Sequence, residues 1–400
     1  TTNSMKAVIV AAKRTAIGGF GQSLASLSAI EIGSQLLKTV LDETPQVKPH
    51  IEEVILGQVL TAGCGQNPAR QTALNAGLPI SVSAFTINHV CGSGLKAVQL
   101  AAQSVLCGDA KMVVAGGQES MSQAAHVLPN NRVPKKLGDL SLVDSLIKDG
   151  LWDSRENIHM GVTAENIAEK FSVSREAQDK FAVHSQQKAA HAISSGLFKD
   201  EIAPIHIVKR GGDIQSFDVD ESVKADTQII NLSKLRPAFK KGGSVTAGNS
   251  STINDGAAMV VVTTDDHAKE LGLPILAVIE ATACEGVDPL YMGVGPIAAT
   301  QAVCKKADWQ VGDIDLIEAN EAFSAQALHV TNELGLDPKK LNVNGGAVAL
   351  GHPIGASGCR ILVSLIYQMQ RANKTKGLAT LCIGGGMGIA MLVSRERTKA

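Results

Sequence analysis

The chain predicts an α/β fold built from two related halves, with a long irregular module inserted into the first. Three observations lead there. In the first and last thirds, short apolar runs of strand length alternate with amphipathic stretches of helical spacing. The residues are 44% hydrophobic but only 3% aromatic, with 39 glycines, so the core is made of small aliphatic side chains, as suits sheets covered by closely packed helices. Segments of the last third also match segments of the first at a shift of roughly 260 to 270 residues, as a duplicated unit would.

The first buried strand is Ala7-Val8-Ile9-Val10-Ala11-Ala12. Ser28 and Glu31 have the spacing of a capping box. Ile30, Ile32, Leu36, Leu37, Val40 and Leu41 then recur at helical spacing. Val54-Ile55-Leu56 and Met112-Val113-Val114-Ala115 are further strands, with helices over 69–75 and 94–106. From Met121 to Asn249 the pattern changes to polar, Pro-interrupted loops, a helix over 175–194 and a Gly211-Gly212 turn. A strand at 257–262 closes this insertion.

The last third repeats the first. Ile314-Asp315-Leu316-Ile317-Glu318 matches Ile51-Glu52-Glu53-Val54-Ile55, and Gly355-Ala356-Ser357-Gly358 matches Cys91-Gly92-Ser93-Gly94. Leu381-Cys382-Ile383-Gly384-Gly385-Gly386 echoes Val113-Val114-Ala115-Gly116-Gly117. The expected units are 5–120 with 250–273, the insertion 121–249, and 274–397.

A net charge of -1 argues against nucleic acid as the main partner, since that affinity needs many Lys and Arg contacts to phosphate. No apolar run approaches the ~20 residues of a membrane helix. Seven scattered cysteines without C-x-x-C pairs argue against a disulfide framework or a zinc site. Thr1–Ser4 reads as a short polar remnant ahead of a natural start at Met5, with no signal or transit peptide. A reducing cytoplasm is the expected location.

Two stretches carry chemistry. Val90-Cys91-Gly92-Ser93-Gly94-Leu95 puts a thiol before a helix, where the positive dipole end favours thiolate. Gly351-His352-Pro353 holds an imidazole on a short restricted loop, and imidazole is the usual base for a catalytic thiol. Cys382 ends an apolar strand and is followed by Gly384 and two more glycines as Cys382-Ile383-Gly384-Gly385-Gly386. Backbone N–H groups there could meet an oxyanion. Asn320, in Asn320-Glu321-Ala322-Phe323, could position water or donate to an enolate, or could simply cap a helix. Nucleophile, base and second thiol together describe an acyl-transfer site.

With His159-Met160-Gly161, these motifs occur in an order that resembles the thiolase family, and within it the short-chain acetyl-CoA acetyltransferase branch. The resemblance runs from Arg14-Thr15 to the strand at 389–393. It implies the thiolase fold: two pseudo-twofold βαβαβαββ halves in a five-layer αβαβα core, with the insertion carrying coenzyme A contacts and tetramer contacts.

The resemblance further implies a ping-pong reaction that joins two acetyl-CoA into acetoacetyl-CoA, with thiolysis as its reverse. Cys91 is the acylated nucleophile, His352 its base and Cys382 the α-proton base. Asn320 holds a water at the enolate, and the N–H groups of Cys91 and Gly384 hold the tetrahedral intermediate. Leu151, His159 and Met160 would lie beside pantetheine, Lys224 and Phe239 near the nucleotide, and Ser251 against a pantetheine amide. Related enzymes often have Arg where this chain has Lys224, and a lysine stacks on adenine less well.

Met292, with Phe323 beside the acyl site and Gly92 after the nucleophile, matches enzymes acting on four-carbon products. The implied assembly is a homotetramer of tight dimers, joined with help from the basic loop 132–137. No prosthetic group or metal is implied; coenzyme A thioesters are the substrates. A ketosynthase would have His or Asn where Cys382 stands, and a non-catalytic acyl-CoA carrier would not need Cys91, His352 and Cys382 together.

Overall fold

Strand alternation divides the interior into layers. The computed structural model describes residues 4–398, so Thr1–Asn3 of the polar leader lie outside the described residues. Strands β1 (Ala7–Arg14), β2 (Glu53–Gly57), β3 (Ser83–Ile87), β4 (Met112–Ser120) and β5 (Asn254–Thr264) form the first half. Strands β6 (Ala277–Gly286), β7 (Leu316–Ala319), β8 (Lys376–Ile383) and β9 (Met387–Ser394) form the second. Helices α1 (Ala29–Glu43), α2 (Pro68–Asn75) and α3 (Ser93–Cys107) go with the first half, and α4 (Met160–Lys170) and α5 (Arg175–Ser194) lie in the insertion. Helices α6 (Gly295–Ala307), α7 (Ser324–Leu334) and α8 (Ile354–Arg371) go with the second.

Along β1, Val8 and Val10 enter one apolar cluster while Ala7 and Ile9 enter another, as the two-residue period of a strand requires. The first cluster includes Leu36 and Leu37 of α1. The second includes Leu95 and Val98 of α3, Ile361 and Leu365 of α8, and the inner faces of both halves' strands, such as Val260 and Met391. A third packs Val303 of α6 under Leu378 and Leu392. The layers therefore run α1, sheet, α3 with α8, sheet, α6: five in all. The capping box at Ser28 and Glu31 forms as expected, and Ile30, Ile32, Leu36, Leu37, Val40 and Leu41 are all buried.

The strands order as β3-β2-β4-β5-β1-β6-β9-β8-β7. β1 meets β6 only through Val8↔Val278 and Ile9↔Ala277, which is the seam between halves. In both halves a parallel pair is followed by antiparallel ones, so β7, β8, β9 and β6 repeat β2, β4, β5 and β1. The counterpart of β3 is reduced to one parallel bridge, Ile317↔Leu341. Asn342, at φ +43, follows it and bonds by its side chain to both the N–H and the C=O of Ala319, at 2.9 and 2.8 Å. A side-chain amide stands there in place of a strand's backbone.

Residues 121–253 connect β4 to β5, two neighbours in the sheet, and so leave and re-enter the first half. The Gly211-Gly212 turn joins the hairpin strands Ile205–Val208 and Ile214–Phe217. Arg14, fully buried, pins the insertion: Nε donates to Glu201 at 2.7 Å, and Nη1 and Nη2 to Asp220 at 2.8 and 3.0 Å.

α3 and α8 cross at glycines. A Cβ on Gly94 would lie 2.7 Å from the backbone N of Cys359, and one on Gly358 would lie 2.5 Å from the backbone N of Leu95. Gly94→Ala and Gly358→Ala should each cost roughly 1 to 3 kcal/mol of stability by overpacking. Gly312→Ala, where nothing lies within 4 Å of the added carbon, is the reference substitution. Urea or thermal unfolding that gave all three variants equal stability would reject the contact as a constraint.

Candidate active site

The turn before α3 sets Cys91. Val90 adopts φ +46, a left-handed conformation that β-branched residues rarely take. Surrounding hydrogen bonds enforce it: Val90 N–H donates to Asn88 Oδ1 at 2.9 Å, His89 N–H to Ser93 Oγ at 2.8 Å, and Ser93 Oγ to the Val90 carbonyl at 2.7 Å. Cys91 is buried, and the N–H groups of Gly384 and of Cys91 itself are directed at its sulfur. The helix terminus alone is too weak to ionise a thiol, and burial dominates, pushing this one up to about 11 against the pull of those two amides.

His352 follows Gly351, whose φ of +104 suits glycine. Its backbone N–H donates to Asn254 Oδ1 at 2.9 Å, and its Nδ1 lies 2.5 Å from Ser357 Oγ. Ser357 gives its own hydroxyl proton to the Pro353 carbonyl at 3.0 Å, so Oγ accepts from Nδ1–H. That assigns the tautomer: Nε2 keeps its lone pair, is buried, and has no partner among the described residues. Burial, then the charge of Arg360, brings the imidazole down to about 4, so it is neutral and able to accept a proton at neutral pH.

Cys382 is fully buried near the end of β8, paired with Gly388 of β9. Burial first, then the neighbouring Cys91, raise its thiol above the ordinary range. It packs in a cluster with Met160, Met292, Ala322 and Phe323. Asn320 leaves β7 with its N–H on the Thr380 carbonyl at 3.0 Å, while both side-chain polar atoms are buried without partners among the described residues. It is not a helix cap, because α7 starts at Ser324 with Phe323 in the cap position.

A cavity of about 530 Å³ opens at His352; the thiols and Asn320 do not line it, but Leu151 and Ile354, which do, pack with Cys91. Its lining includes Leu151, His159, Lys224, Phe239, Ser251, Phe323 and His352. His159 stacks on Phe239 with centroids 4.6 Å apart, and Phe239 meets Phe323 edge-on at 6.1 Å. The ring of His159 is fixed by accepting the Gly161 N–H at 2.9 Å. Lys224 is exposed at the rim, with its backbone N–H on Gln186. Met160 and Gly384 line a second cavity of about 430 Å³ together with Val90, and Met292 lies below in the cluster around Cys382.

Three residues around the site carry no motif of their own. Ser357 holds the ring of His352 and Asn254 its backbone N–H. Buried Glu119 accepts the N–H groups of Val59, Leu60 and Gly355 at 3.0 to 3.2 Å, tying the end of β2 to the start of α8. Burial pushes its carboxyl up to about 7. Their signal in the sequence is slight: a serine five residues past the histidine, and polar residues ending otherwise apolar strands.

Two thiols, a neutral imidazole and convergent backbone amides at the junction of duplicated halves define a site built for acyl chemistry on a condensing-type α/β fold. Residues 7–266 match the family description "Thiolase, N-terminal domain" and residues 273–395 "Thiolase, C-terminal domain". The chain belongs to the thiolase family. It is 60% identical over 388 residues to an acetyl-CoA acetyltransferase of Thiocystis violacea, covering 97% of this chain and 98% of that protein. It is 56% identical over 389 residues to an acetyl-CoA acetyltransferase of Pseudomonas aeruginosa, covering 97% and 99%.

Among solved structures, the acetyl-CoA acetyltransferase of Bacillus anthracis superposes with a TM-score of 0.95 at 43% identity, over 98% of this chain and 100% of that one. The human mitochondrial 3-ketoacyl-CoA thiolase gives 0.94 at 40% identity, over 99% of each.

Burial raises the Cys91 thiol and lowers the His352 imidazole, so it favours a neutral thiol over a thiolate–imidazolium pair. Alkylation of Cys91 by iodoacetamide should therefore rise about tenfold per pH unit from pH 6 to 9, following the thiolate fraction. A rate that is flat across that range would show a preformed ion pair instead.

Proposed function

We propose that the chain is an acetyl-CoA C-acetyltransferase that joins two acetyl-CoA into acetoacetyl-CoA and coenzyme A, and runs thiolysis in reverse. The observation that carries this is the free Nε2 of buried His352, fixed by Ser357, at a site that also holds both raised thiols. The names of the relatives above support the same substrate. In the first half-reaction His352 Nε2 takes the Cys91 proton as the sulfur attacks the thioester carbonyl. The tetrahedral oxyanion is met by the N–H groups of Cys91 and Gly384, whose direction toward that sulfur supports this role. Coenzyme A leaves with the proton from His352, and acetyl-Cys91 remains.

A second acetyl-CoA then enters. Cys382 passes its proton to His352 and takes an α-proton from the acetyl group. The imidazolium and a water held by Asn320 stabilise the enolate oxygen, and the unpartnered side-chain atoms of Asn320 suit that task. The enolate carbon attacks the acetyl carbonyl, the Cys91 sulfur leaves, and the proton on His352 returns to it. Every atom and proton is accounted for without a redox partner. The raised Cys382 thiol is apt, because a group that holds its proton tightly is a strong base once ionised.

In this reading the cavity lined by Leu151, His159, Phe239 and Ser251 takes pantetheine, and exposed Lys224 meets the nucleotide. Met160, Met292 and Phe323 enclose the acyl group. Holding the remote handle converts the meeting of two small acetyl groups into a positioned reaction. The units are residues 5–120 with 250–273, 121–249 and 274–397. The chain works in the cytoplasm in fatty acid metabolism, as a homotetramer. No helix among the described residues is long and apolar enough to cross a membrane.

Intact-protein mass after brief exposure to acetyl-CoA should show an acetyl adduct in the wild type and in Cys382→Ser but not in Cys91→Ala, with turnover lost in both variants. An adduct that persists in Cys91→Ala would remove the nucleophile assignment. Within loop 132–137, Val133 and Leu137 are 82% and 88% exposed, as suits a contact between dimers. Deleting the loop should convert tetramers to dimers by light scattering, and an unchanged tetramer would reject its role.

A further inference from the structure

The mechanism above leaves the buried guanidinium of Arg360 unused. Arg360 of α8 is 2% exposed, and its Nε, Nη1 and Nη2 have no hydrogen-bond partner among the described residues. Oε2 of Glu318 and Oε1 of Glu201 are equally buried and unpartnered. Arg14 shows the contrast, with its guanidinium closed by Glu201, Asp220 and the Thr15 carbonyl. A guanidinium offers five donors in a fixed fork, and burying it is strongly unfavourable unless those donors are met. Glu318 and Glu201 are near enough to act on Arg360 through space, opposing the effect of its burial.

The location gives this group meaning. On β7, Leu316 faces the central helical layer while Ile317 and Ala319 face the outer cluster. The two-residue period therefore turns Glu318 and Asn320 toward α8. On α8, Ser357, Arg360 and Ser364 follow at helical spacing along one face. Ser357 holds His352, and Ser364 donates to Glu201 at 2.6 Å. Asn320 and the His352–Ser357 pair thus form one layer, and Glu318 with Arg360 the layer beneath it.

We propose that ordered water bridges Arg360 to Glu318 and Glu201, and that this bridged group is a positioning device fixing Asn320 against His352. Water suits it because both partners keep several hydrogen-bonding sites free in a polar interior, where buried water commonly makes about three bonds. Burial pushes the Glu318 carboxyl up to about 8 while Arg360 draws it back. Near neutral pH it can thus donate as well as accept, which suits a bridge through water. The two residues touch no substrate; they set the spacing of the groups that do. This inference rests on the two-thiol mechanism and on Asn320 serving only its second half.

The test uses the full-length protein with Glu318→Leu, Glu318→Gln and Arg360→Met. A crystal structure that resolves solvent should show water within hydrogen-bond distance of both an Arg360 nitrogen and Glu318 Oε2. Glu318→Leu should lose that water and lower kcat for acetoacetyl-CoA formation between about 10- and 100-fold, as small misplacements at a reacting site do. KM for acetyl-CoA and the rate of Cys91 acetylation should stay within about twofold, since neither needs Asn320. Glu318→Gln, which keeps the bridge, should restore kcat to within about threefold. Arg360→Met should lower kcat as Glu318→Leu does, but it also removes a charge that acts on His352, so the two Glu318 variants alone carry the comparison of Cys91 acetylation.

A direct Arg360–Glu318 contact without water, an unchanged kcat in Glu318→Leu, or equal losses in Leu and Gln would each overturn the proposal. Absence of Cys91 acetylation in the wild type would instead overturn the catalytic reading on which it rests.

Discussion

The crossing of α3 and α8 governs the rest of the molecule. Gly94 lies against the backbone of Cys359 and Gly358 against that of Leu95, a reciprocal contact between equivalent positions of the two halves. Helices packed through ordinary side chains keep their axes ~8 to 10 Å apart, and an alanine at either position already overlaps backbone. This contact brings the start of α3, with Cys91, beside the start of α8, with His352. Each half's sheet then covers one flank of the helix pair, and the strands of the two halves pair at the β1–β6 seam. The duplication therefore does more than double a stable unit. It joins two helix starts, one bearing a thiol and the other an imidazole.

The insertion completes what the symmetric core leaves open. It contributes His159 and Phe239, which stack together and reach Phe323 of the second half. That aromatic contact forms a cavity wall from residues of two units. The insertion is held from beneath by Arg14, whose buried pairs with Glu201 and Asp220 tie β1 to two separate parts of it. Such a triad is weak evidence for net stability, but removing one partner leaves an uncompensated charge. Its geometric effect is to fix where the wall stands relative to the thiols. Glu119 does similar work, its one carboxyl group gathering three N–H groups, two from just after β2 and one from α8.

Much of the architecture was readable in the sequence, because the signals were local. The Ser28 capping box, the helix over 175–194 and the glycine turn at 211–212 each depend on a few neighbouring residues, and the structure has all of them. The repeat was readable for the same reason, although the strand lost near Leu341 was not. Its absence turns on how the side chain of Asn342 reaches Ala319. The thiols and His352 stood out through their glycines. Ser357 was visible only as part of a glycine-rich repeat, since its role needs the turn that folds it back on His352. Arg360 and Glu318 carried no signal, because charged residues are ordinarily outside. The helix terminus pulls Cys91 toward thiolate as the sequence suggests, but the depth of the sulfur, which no local motif reveals, outweighs that pull.

That depth bears on how such a site can hold two thiols. Exposed and ionised, Cys91 and Cys382 would repel each other and react with whatever reached them. Buried, each keeps its proton: the thiol of Cys91 is raised despite two directed amides, and that of Cys382 is raised further by its neighbour. A neutral pair beside a neutral imidazole costs far less to bury than three charges would. Charge then has to appear with the substrate, and the groups able to meet it are already aimed. The amides of Cys91 and Gly384 face the Cys91 sulfur, and the lone pair of Nε2 is held by a tautomer that Ser357 and the Pro353 carbonyl fix. Pre-set dipoles in a low-dielectric interior are strongest where charge is transient, because no solvent must reorganise as it forms. The same burial that suppresses the resting thiolate thus strengthens every interaction that receives charge during reaction.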